Sequence, residues 1–436
     1  MPFEIVGKYA KAMIYTDNCE SEAQAQILEM CNQPFVEGAK IRIMPDVHAG
    51  KGCTIGTTMT IKDRVCPNLV GVDIGCGVIC VNLGTIEIDF SKLDNIIRKN
   101  VPAGMSVHST IKYPFEDMEK IRCFNRLKNV DRLYKSLGTL GGGNHFIEVG
   151  KAQNGDMWLF IHTGSRNLGK QVAEYYQFVA AENCNGGKAE YNEKVKALVN
   201  EYKAAGRQKE IEKALENLKK EYRYVEKIPK DLCYLESTAL DDYLHDVFIC
   251  QEFANINRES IARIIIKALF DDMFSTIGGG GVVTFMGDRV AYKSSAIHAA
   301  HIVEMDYFTT IHNYIDRDRL ILRKGAVAAE NGQRLIIPMN MRDGVLICVG
   351  KGNSEWNYSA PHGAGRLMSR SEAKKVISLE DFKESMKGIF TTTVDETTID
   401  ESAFAYKPAD EIKAYIGETV TIVEEIKPVY NFKASE

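Results

Sequence analysis

The stretch VGVDIGCGVICVNL, residues 70–83, decides the fold class, because an apolar run follows directly on a glycine-rich turn. Runs rich in valine and isoleucine and bounded by glycine are typical of β-strands. DMWLFIHTGS, residues 156–165, is a second example. Residues 1–185 alternate short apolar runs with glycine-rich turns throughout, so the sequence predicts strands that feed tight loops.

The segment after residue 185 has a different periodicity. Apolar side chains recur there at spacings of three and four on both sides of Gly206: Tyr191, Val195, Leu198, Tyr202, Ile211, Leu215, Leu218, Tyr222 and Val225. This pattern predicts a helical hairpin with a charged outer face, inserted at residues 186–228. Either the hairpin is a solvated arm or it contacts RNA or a protein partner.

The remainder of the chain predicts helices and then strands. AYKSSAIHAAHIVEMDYFTTIHNYI, residues 291–315, predicts one long helix, whereas residues 320–351 and the final TVTIVEEIKPVYNFKA predict strands. No Ser/Pro-rich linker and no internal repeat divides the sequence. We therefore expect an α+β fold, with residues 1–436 forming one large domain that carries the hairpin.

Composition restricts the class of protein. The 436 residues are 45% apolar and 26% charged with a net charge of −5, which indicates a globular protein without a global basic field. A nucleic-acid partner would need a local basic patch. The 11 cysteines lack disulfide-framework spacing, and neither a signal segment nor an 18-residue apolar run is present. We expect a cytoplasmic protein, no membrane contact, and reduced, mostly buried thiols.

Four positions suggest a metal site. Asp73 and Cys76 lie three residues apart in GVDIGCGV, and the flanking glycines let the loop turn sharply and bring both side chains together. His145 follows three glycines in GTLGGGNHFIEV (138–149), and His162 ends an apolar strand. Oxygen, nitrogen and sulfur donors suit Mn²⁺, Fe²⁺, Co²⁺ or Zn²⁺. The alternative is that Cys76 fills the core, Asp73 caps a turn and the histidines are structural.

The predicted helix 291–315 contributes three more histidines to one face: His298, His301 and His312. His301 and His312 are about 16 Å apart along a helix axis, so they cannot bind the same ion. Spacing does not choose between a His298/His301 pair and His312 alone.

WNYSAPHGAGRLMSR, residues 356–370, places His362 beside small residues. Small residues let a ligand come close to the backbone. Arg366 and Arg370 would share one side of a helix at i,i+4, an arrangement that suits an anion. The segment indicates a place where a phosphorylated ligand meets a histidine.

Taken in order, these motifs resemble the RtcB family of RNA ligases. The resemblance covers most of the chain, through MPDVHAGKGCTIG (44–56), GVDIGCGV, GTLGGGNHFIEV, HTGSRNLG, IHNYI, RKGA (323–326), PHGAGRLMSR and the C-terminal NFKA. It implies a single large mixed-sheet domain. It also implies an enzyme that joins an RNA 3′-phosphate or 2′,3′-cyclic phosphate end to a 5′-hydroxyl end.

The resemblance implies specific roles for residues. His362 would attack the α-phosphate of GTP to form a histidine-bound GMP, which then activates the RNA 3′ end. Cys76 would bridge two Mn²⁺ ions, one completed by Asp73 and His145 and the other by His162 and His312. Further positions correspond to nucleotide contacts, Asn144, Glu148 and Lys433, and to basic residues near the phosphates, Arg166, Lys324, Arg366 and Arg370. Asn340 is a further candidate contact to the nucleotide. His298 and His301 fall outside this set and would be structural.

One segment departs from the family pattern. Where members often have a glycine/serine-rich nucleotide loop, this chain has PMNMRDGV (338–345), in which Asn340 and Arg342 are able to donate hydrogen bonds. Nucleotide specificity is therefore open, as are the choice between tRNA splicing and RNA repair and the need for an activating protein partner. The alternatives are a metal-dependent cyclic phosphodiesterase that does not need His362 and a catalytically inactive RNA-binding module.

Overall fold

The computed structural model describes residues 2–186, 188–221, 227–274, 280–294 and 301–434. Its strands are β1 (Phe3–Val6), β2 (Lys11–Ile14), β3 (Ile41–His48), β4 (Ile55–Thr60), β5 (Arg64–Val65), β6 (Gly77–Gly84), β7 (Phe146–Lys151), β8 (Met157–Thr163), β9 (Leu235–Glu236), β10 (Val282–Met286), β11 (Arg289–Lys293), β12 (Ile302–Ile311), β13 (Asn313–Ile315), β14 (Ile321–Lys324), β15 (Ala326–Ala328), β16 (Arg334–Asn340), β17 (Gly344–Gly350), β18 (Ser359–Pro361), β19 (Phe390–Thr391) and β20 (Val420–Lys433). Its α-helices are α1 (Ser21–Cys31), α2 (Phe90–Asn100), α3 (Val130–Tyr134), α4 (Arg166–Asn185), α5 (Lys188–Ala204), α6 (Ile211–Glu221), α7 (Ser237–Met273), α8 (Arg370–Val376), α9 (Leu379–Ser385) and α10 (Ala409–Ile416).

Two large sheets organise the chain. The first has six strands in the order β1-β2-β3-β4-β14-β13. The second has ten: β10-β11-β12-β6-β8-β7-β20-β17-β16, with β19 beside β20. Neighbouring strands are antiparallel except for β2/β3 and β19/β20, which are parallel. This mixed architecture confirms the predicted combination of helices and mixed sheets.

The long C-terminal strand β20 links two parts of the second sheet. Its first half pairs with β17 and its second half with β7, where Lys433 lies opposite Phe146. The strand predicted for TVTIVEEIKPVYNFKA is thereby confirmed, and the end of the chain is brought to the middle of the molecule.

The helix α7 spans both hydrophobic cores. Tyr243, Val247 and Phe253 pack in the core beneath the first sheet. Ile261 and Ile265, further along the same helix, pack against the second sheet. Apolar side chains at helical spacing thus let one element fix the two sheets against each other.

The helix predicted for residues 291–315 is wrong. The described parts of this segment form the end of β11, then β12 and β13, and β12 pairs with β6. The residues of β12 are mainly β-branched and aromatic, which suits a pleated sheet. His298 lies outside the described residues. His301 stacks on Phe274, with ring centroids 4.6 Å apart.

Helices α5 and α6 occupy the segment with the three-and-four spacing, and they contact each other. Gly206, between them, has a φ of +71°. Tyr222 and Val225 lie outside the described residues, and the division of the chain into a domain and an inserted hairpin stays a prediction. Among the residues that the structure describes, no helix is both long and apolar enough to cross a membrane.

Candidate active site

A cavity of about 310 Å³ lies among loops and strand ends of the two large sheets. Most of the sequence-predicted site residues line it: Asp73, Cys76, Asn144, Glu148, His162, Asn340, His312, His362, Arg366, Arg370 and Lys433. His145 lies directly behind this lining. Arg166 and Lys324 are not part of it.

Five potential metal donors converge at one end of the cavity. Cys76 Sγ lies 3.5 Å from His145 Nε2 and 3.2 Å from His162 Nε2. His145 Nε2 is also 2.9 Å from Asp73 Oδ2, and His162 Nε2 is 3.3 Å from His312 Nε2. The five side chains form two groups of three that share Cys76, and the donor atoms of each group lie within 4.8 Å of one another.

The backbone around these donors leaves no room for larger residues. Cys76 and His312 are tied together, because the amide N–H of His312 donates to the Cys76 carbonyl at 2.9 Å. A Cβ atom at Gly164 would overlap the Asp73 carboxylate. Below the loop, the fully buried Arg258 donates to two backbone carbonyls beside the donors, those of Gly75 at 2.6 Å and Thr163 at 3.1 Å. The glycines flanking the donors are therefore required by close packing.

Backbone carbonyls orient two of the imidazoles. His145 Nδ1 lies 2.8 Å from the Leu140 carbonyl, and His162 Nδ1 lies 3.1 Å from the Asn144 carbonyl. A carbonyl accepts only, so Nδ1 carries a proton in both rings, and Nε2 is the nitrogen that faces the cluster. Metal-ligating histidines commonly have such a second hydrogen bond.

Burial sets the charge of the cluster. It lowers the pKa of His162 and of His312 well below the usual value, with neighbouring imidazoles adding to the effect, so both rings are neutral. Burial and the Asp73 carboxylate raise the pKa of the Cys76 thiol well above its usual value. Burial would raise the pKa of Asp73 as well, but His145 holds it below the usual range. Neutral imidazoles, a carboxylate and a thiol that only a cation would deprotonate fit a transition-metal ion.

His362 stands beside this cluster. It follows β18, and its Nδ1 lies 2.7 Å from Oδ2 of Asp46, which also accepts the His362 backbone N–H at 3.1 Å. Asp46 is fully buried on β3, and within the described residues its Oδ1 has no hydrogen-bond partner. The His362 and His312 rings have centroids 4.9 Å apart. The carboxylate fixes one imidazole nitrogen and leaves Nε2 as the nitrogen available for chemistry.

Glu148 is a buried acid at the opposite part of the cavity. Burial raises its pKa to about 8, although the hydrogen bond from Asn431 and the charge of Lys433 act against this shift. Asn431 Nδ2 donates to its Oε2 at 2.8 Å, while Oε1 has no partner among the described groups. An orphaned, cavity-lining carboxyl oxygen is suited to recognise a polar ligand.

A second buried acid, Glu401, collects the cations of the cavity. Its Oε2 lies 2.7 Å from Lys433 Nζ and accepts the Tyr406 hydroxyl at 2.8 Å. Its Oε1 lies 3.5 Å from a guanidinium nitrogen of both Arg366 and Arg370. Burial would raise the pKa of Glu401, but the charges of Lys433 and Arg370 hold it below the usual range.

The predicted helical pairing of Arg366 and Arg370 is wrong. Helix α8 begins at Arg370, capped by Ser369, whereas Arg366 forms an isolated antiparallel bridge with Tyr406. The backbone of Ser369 is extended, with φ −64° and ψ 158°, so the helix cannot reach back from Arg370 to Arg366. The two arginines nevertheless converge, because both approach the same glutamate.

Two predicted phosphate contacts are engaged elsewhere. Arg166 donates to Thr139 Oγ1 and to the Gly104 carbonyl, both at 3.0 Å, and its burial lowers its pKa to about 10. The ammonium of Lys324 is buried and donates to three backbone carbonyls, those of Lys51, Cys53 and Asn68. These positions therefore support the loops around the cavity, and their phosphate contacts stay predictions.

Asn340 reaches the cavity but serves its own loop. Its Nδ2 donates to Asp343 at 2.8 Å, and its Oδ1 accepts the backbone N–H groups of Arg342 and Asp343. Arg342 pairs with Asp343 at 2.8 Å. The departure from a glycine/serine-rich loop thus yields a self-bonded turn between β16 and β17.

Sequence reasoning assigned no role to Asp46, Glu401 or His48, all of which line the cavity or contact its histidine. Asp46 and His48 belong to the quoted MPDVHAGKGCTIG, so the signal existed but pointed to no partner. Burial lowers the pKa of His48 to about 4, which keeps that ring neutral. Nothing in TIDESAFAY distinguishes Glu401 from a surface acid.

Known proteins resemble this chain over nearly its whole length. The family model described as tRNA-splicing ligase RtcB matches residues 26–434. The RNA-splicing ligase RtcB of Escherichia coli strain K12 is 29% identical over 94% of this chain and 93% of its own length. The tRNA-splicing ligase RtcB of Aeropyrum pernix is 25% identical over 96% of this chain and 94% of its own length.

Proposed function

This chain belongs to the RtcB family of RNA-splicing ligases, and we propose that it joins RNA ends through a covalent GMP on His362. The substrates are an RNA 3′-phosphate or 2′,3′-cyclic phosphate end and a 5′-hydroxyl end. GTP supplies the nucleotide, and two Mn²⁺ ions assist. The physiological task is tRNA splicing, as in the names of the relatives, or RNA repair.

One observation carries the proposal: His362 shares a cavity with a cluster of five potential metal donors. A histidine whose Nδ1 is fixed by a buried carboxylate, and whose ring centroid lies 4.9 Å from that of the donor His312, is arranged as a nucleophile. A phosphodiesterase without ligation would need the donors but not the pairing of His362 with Asp46.

The donor set fits the two ions that the family implies. Cys76 would be shared, Asp73 and His145 would hold one ion, and His162 and His312 the other. Bound Mn²⁺ would neutralise phosphate oxygens and favour attack on phosphorus. Cys76 is the one sulfur donor among the five residues, and both groups of three contain it. The other donors are a carboxylate oxygen and imidazole nitrogens, which suit the same class of ion.

The chain's own residues divide the remaining work. Asp46 accepts a hydrogen bond from Nδ1–H of His362, holds the reactive tautomer and stabilises the positive charge that grows on the ring as Nε2 attacks the α-phosphorus of GTP. Pyrophosphate leaves, and GMP stays on His362. The RNA 3′-phosphate then attacks this GMP and releases the histidine. Finally the 5′-hydroxyl displaces GMP and closes the phosphodiester.

The other parts of the cavity bind the substrates. Glu148, Asn144 and Lys433 recognise the nucleotide, with the carboxylate of Glu148 accepting hydrogen bonds from a base. Arg366 contacts the reacting phosphates. Arg370, whose side chain is 41% exposed, contacts the RNA backbone. Arg166 and Lys324 support the loops around the cavity, and their phosphate contacts stay predictions. An activating protein partner is compatible with this assignment.

The test is mass spectrometry of the intact protein after incubation with GTP and Mn²⁺. The wild type and His301→Ala should gain one GMP that is labile in acid and stable in base, and His362→Ala should gain none. An adduct in His362→Ala refutes the nucleophile. Opening of cyclic phosphates by a wild type that never forms an adduct would instead establish the phosphodiesterase.

A further inference from the structure

Cys184 differs from every other cysteine of the chain. Ten of the 11 cysteines are buried, and Cys184, in the last turn of α4, is the one that is partly exposed. A hydrogen bond from the Cys233 thiol lowers the pKa of Cys184 to about 7, against burial. Burial raises the pKa of the Cys19 thiol to about 11 and of Cys31 to about 12. Cys184 thus combines access with thiolate character.

Cys233 is the neighbour of this thiol. The Cys184 sulfur lies 3.3 Å from the backbone nitrogen of Tyr234, the atom bonded directly to the Cys233 carbonyl carbon. The Tyr234 N–H donates to that sulfur, an interaction that favours a thiolate. Cys233 itself is buried and accepts a hydrogen bond from Asn185 Nδ2 at 3.2 Å. The hydrogen bond between the two side chains and the shared backbone neighbour Tyr234 place the accessible Cys184 thiol beside a second thiol that is buried.

The pair lies at the root of the predicted 186–228 insertion. Asn185 already joins the two sides of this root, because its Oδ1 accepts the backbone N–H of Lys227 at 2.9 Å and of Ile228 at 3.0 Å. Cys184 precedes the insertion and Cys233 follows it. A covalent bond between them would close a loop that contains helices α5 and α6.

We propose that Cys184 and Cys233 are a peroxide-reactive thiol pair that forms a reversible disulfide across the root of the hairpin. The Cys184 thiolate attacks one oxygen of a hydroperoxide, the O–O bond breaks, and the displaced oxygen leaves as water or alcohol after protonation. The Cys233 thiol then attacks the resulting sulfenic sulfur. The S–S bond forms, the S–O bond breaks, and a water molecule leaves with the thiol proton.

The electron balance closes with the peroxide as the sole oxidant. Each cysteine sulfur loses one electron, and the peroxide gains two. A dithiol reductant reverses the reaction by thiol–disulfide exchange. Accessible, low-pKa thiols beside a resolving cysteine are the usual site of such chemistry, whereas buried thiols are protected from direct attack by peroxide in solution. The proposal does not depend on the ligase activity.

The experiment treats the full-length protein with one equivalent of hydrogen peroxide, blocks remaining thiols with an alkylating reagent and maps the peptides without reduction. We expect a Cys184–Cys233 linked peptide that disappears after treatment with dithiothreitol. In untreated protein at neutral pH, Cys184 should alkylate at least about tenfold faster than Cys19. Equal rates, or peroxide that modifies other cysteines first, would overturn the proposal.

Two variants separate the roles of the pair. Cys233→Ser should leave a sulfenic acid on Cys184 that a cyclic 1,3-dione traps, whereas Cys184→Ser should leave Cys233 unmodified. Cys19→Ser is the matched control and should form the linked peptide like the wild type. Direct oxidation of Cys184 to a sulfinic acid in the wild type, without a disulfide, contradicts a resolving role for Cys233.

Discussion

Two walls of the cavity differ in charge. The donor wall, formed by Asp73, Cys76, His145, His162 and His312, consists mainly of buried groups that burial keeps neutral. The cation wall, formed by Arg366, Arg370 and Lys433, is charged, and the buried Glu401 lies among the three.

The two walls therefore suit ligands of opposite charge, a metal cation at the donor wall and a phosphate at the cation wall. Asp73 is the charged member of the donor wall, whereas the Cys76 thiol and the imidazoles of His162 and His312 are neutral. Such a set is ready to receive positive charge, and the thiol loses its proton only when that charge arrives. Buried cations need a counter-charge before a ligand is present, because unpaired burial costs several kcal/mol per ion. Glu401 supplies that counter-charge, and a phosphate would then compete with it.

The largest effect should follow from breaking the donor wall at its shared member. Cys76→Ser replaces the only donor common to both groups. We expect Mn²⁺ affinity and GMP loading to fall together, by more than the roughly ten- to hundredfold that changes behind a metal ligand usually cost. Isothermal titration with Mn²⁺ and the intact-mass assay measure the two quantities.

Two histidine variants distinguish the loss of a metal ligand from a general destabilisation of the fold. His312→Ala should reproduce the loss, while His301→Ala should keep Mn²⁺ binding, since His301 stacks on Phe274 and is absent from the cavity lining. Equal losses in both variants would mean that the donor wall has been assigned incorrectly.

The second prediction concerns Asp46, the buried carboxylate that orients His362. Asp46→Asn keeps the shape but gives Nδ1 of His362 a neutral partner. We expect Mn²⁺ binding to persist and the rate of GMP loading to fall by about 10²–10⁴, the range for losing a carboxylate that orients a catalytic histidine. Single-turnover loading kinetics are the measurement. Unchanged loading would show that His362 needs no orienting acid.

The two walls also differ in how much of them the sequence predicts. Asp73 and Cys76 are three residues apart, and His145 and His162 end glycine-rich or apolar motifs, so local chemistry marks them. Asp46 and His362 are 316 residues apart, and Glu401 meets Lys433 only because β20 returns to β7. Such pairs arise from topology, and no local spacing encodes them.

The fold follows the same rule. Strands around 70–83, 156–165, 320–351 and the C-terminus were predictable because they are apolar runs between turns. The segment 291–315 mimics a helix in composition, but pairing of β12 with β6 overrides that local preference. Sheet registry is a non-local property, and this is where the sequence-based prediction failed.

A smaller loss should follow from breaking the cation wall at its centre. Glu401→Gln removes the carboxylate that Lys433, Arg366 and Arg370 share while keeping the volume, and Arg370 retains Asp400 at 3.4 Å as a second partner. Uncompensated buried cations should lower the free energy of unfolding by about 3–5 kcal/mol, an upper range because Arg370 is partly exposed. Chemical denaturation measures this loss.

GTP binding gives the second measurement for Glu401. We expect Mn²⁺ affinity to remain. The KM for GTP in the loading reaction should change more than kcat, because the variant displaces the cations but leaves the nucleophile His362 in place. Glu384→Gln, an exposed acid paired with Lys387, is the matched control and should change neither. A fall in kcat alone would contradict a positioning role.

Arg370→Ala should act more weakly and only on RNA. A partly exposed phosphate contact is worth about 1–2 kcal/mol, roughly five- to thirtyfold in affinity. GMP loading should stay nearly intact, strand sealing should weaken, and the salt dependence of RNA binding should become shallower as one phosphate contact is lost. Paired loading and sealing assays over a salt series check this, and a variant that seals like the wild type at every salt concentration removes Arg370 from the RNA site.

The smallest effect concerns Glu148 and is a pH dependence. Because burial raises its pKa to about 8, the carboxylate is the minor form at pH 7 in the protein without nucleotide. Guanine offers N–H donors that a carboxylate accepts, so binding must release the proton below pH 8. GTP affinity should therefore rise about tenfold between pH 7 and pH 8.5, and the rise should be absent in Glu148→Gln. Nucleotide titrations at several pH values measure it.

The protonation of Glu148 also makes the stability of the fold pH-dependent, and stability should fall with rising pH where GTP affinity rises. A folded pKa above the unfolded value of about 4.3 means that the folded state holds the proton more tightly. This contribution to stability is complete below the unfolded pKa and is lost as pH rises through about 8, so thermal unfolding should shift downward over that window in the wild type and less in Glu148→Gln. If GTP affinity instead falls as pH rises, the protonated carboxyl of Glu148 is the form that binds the nucleotide.

The protonated carboxyl would then donate to a base acceptor such as adenine N1. In that case the self-bonded turn at 338–345 would belong to a site that prefers a nucleotide other than GTP.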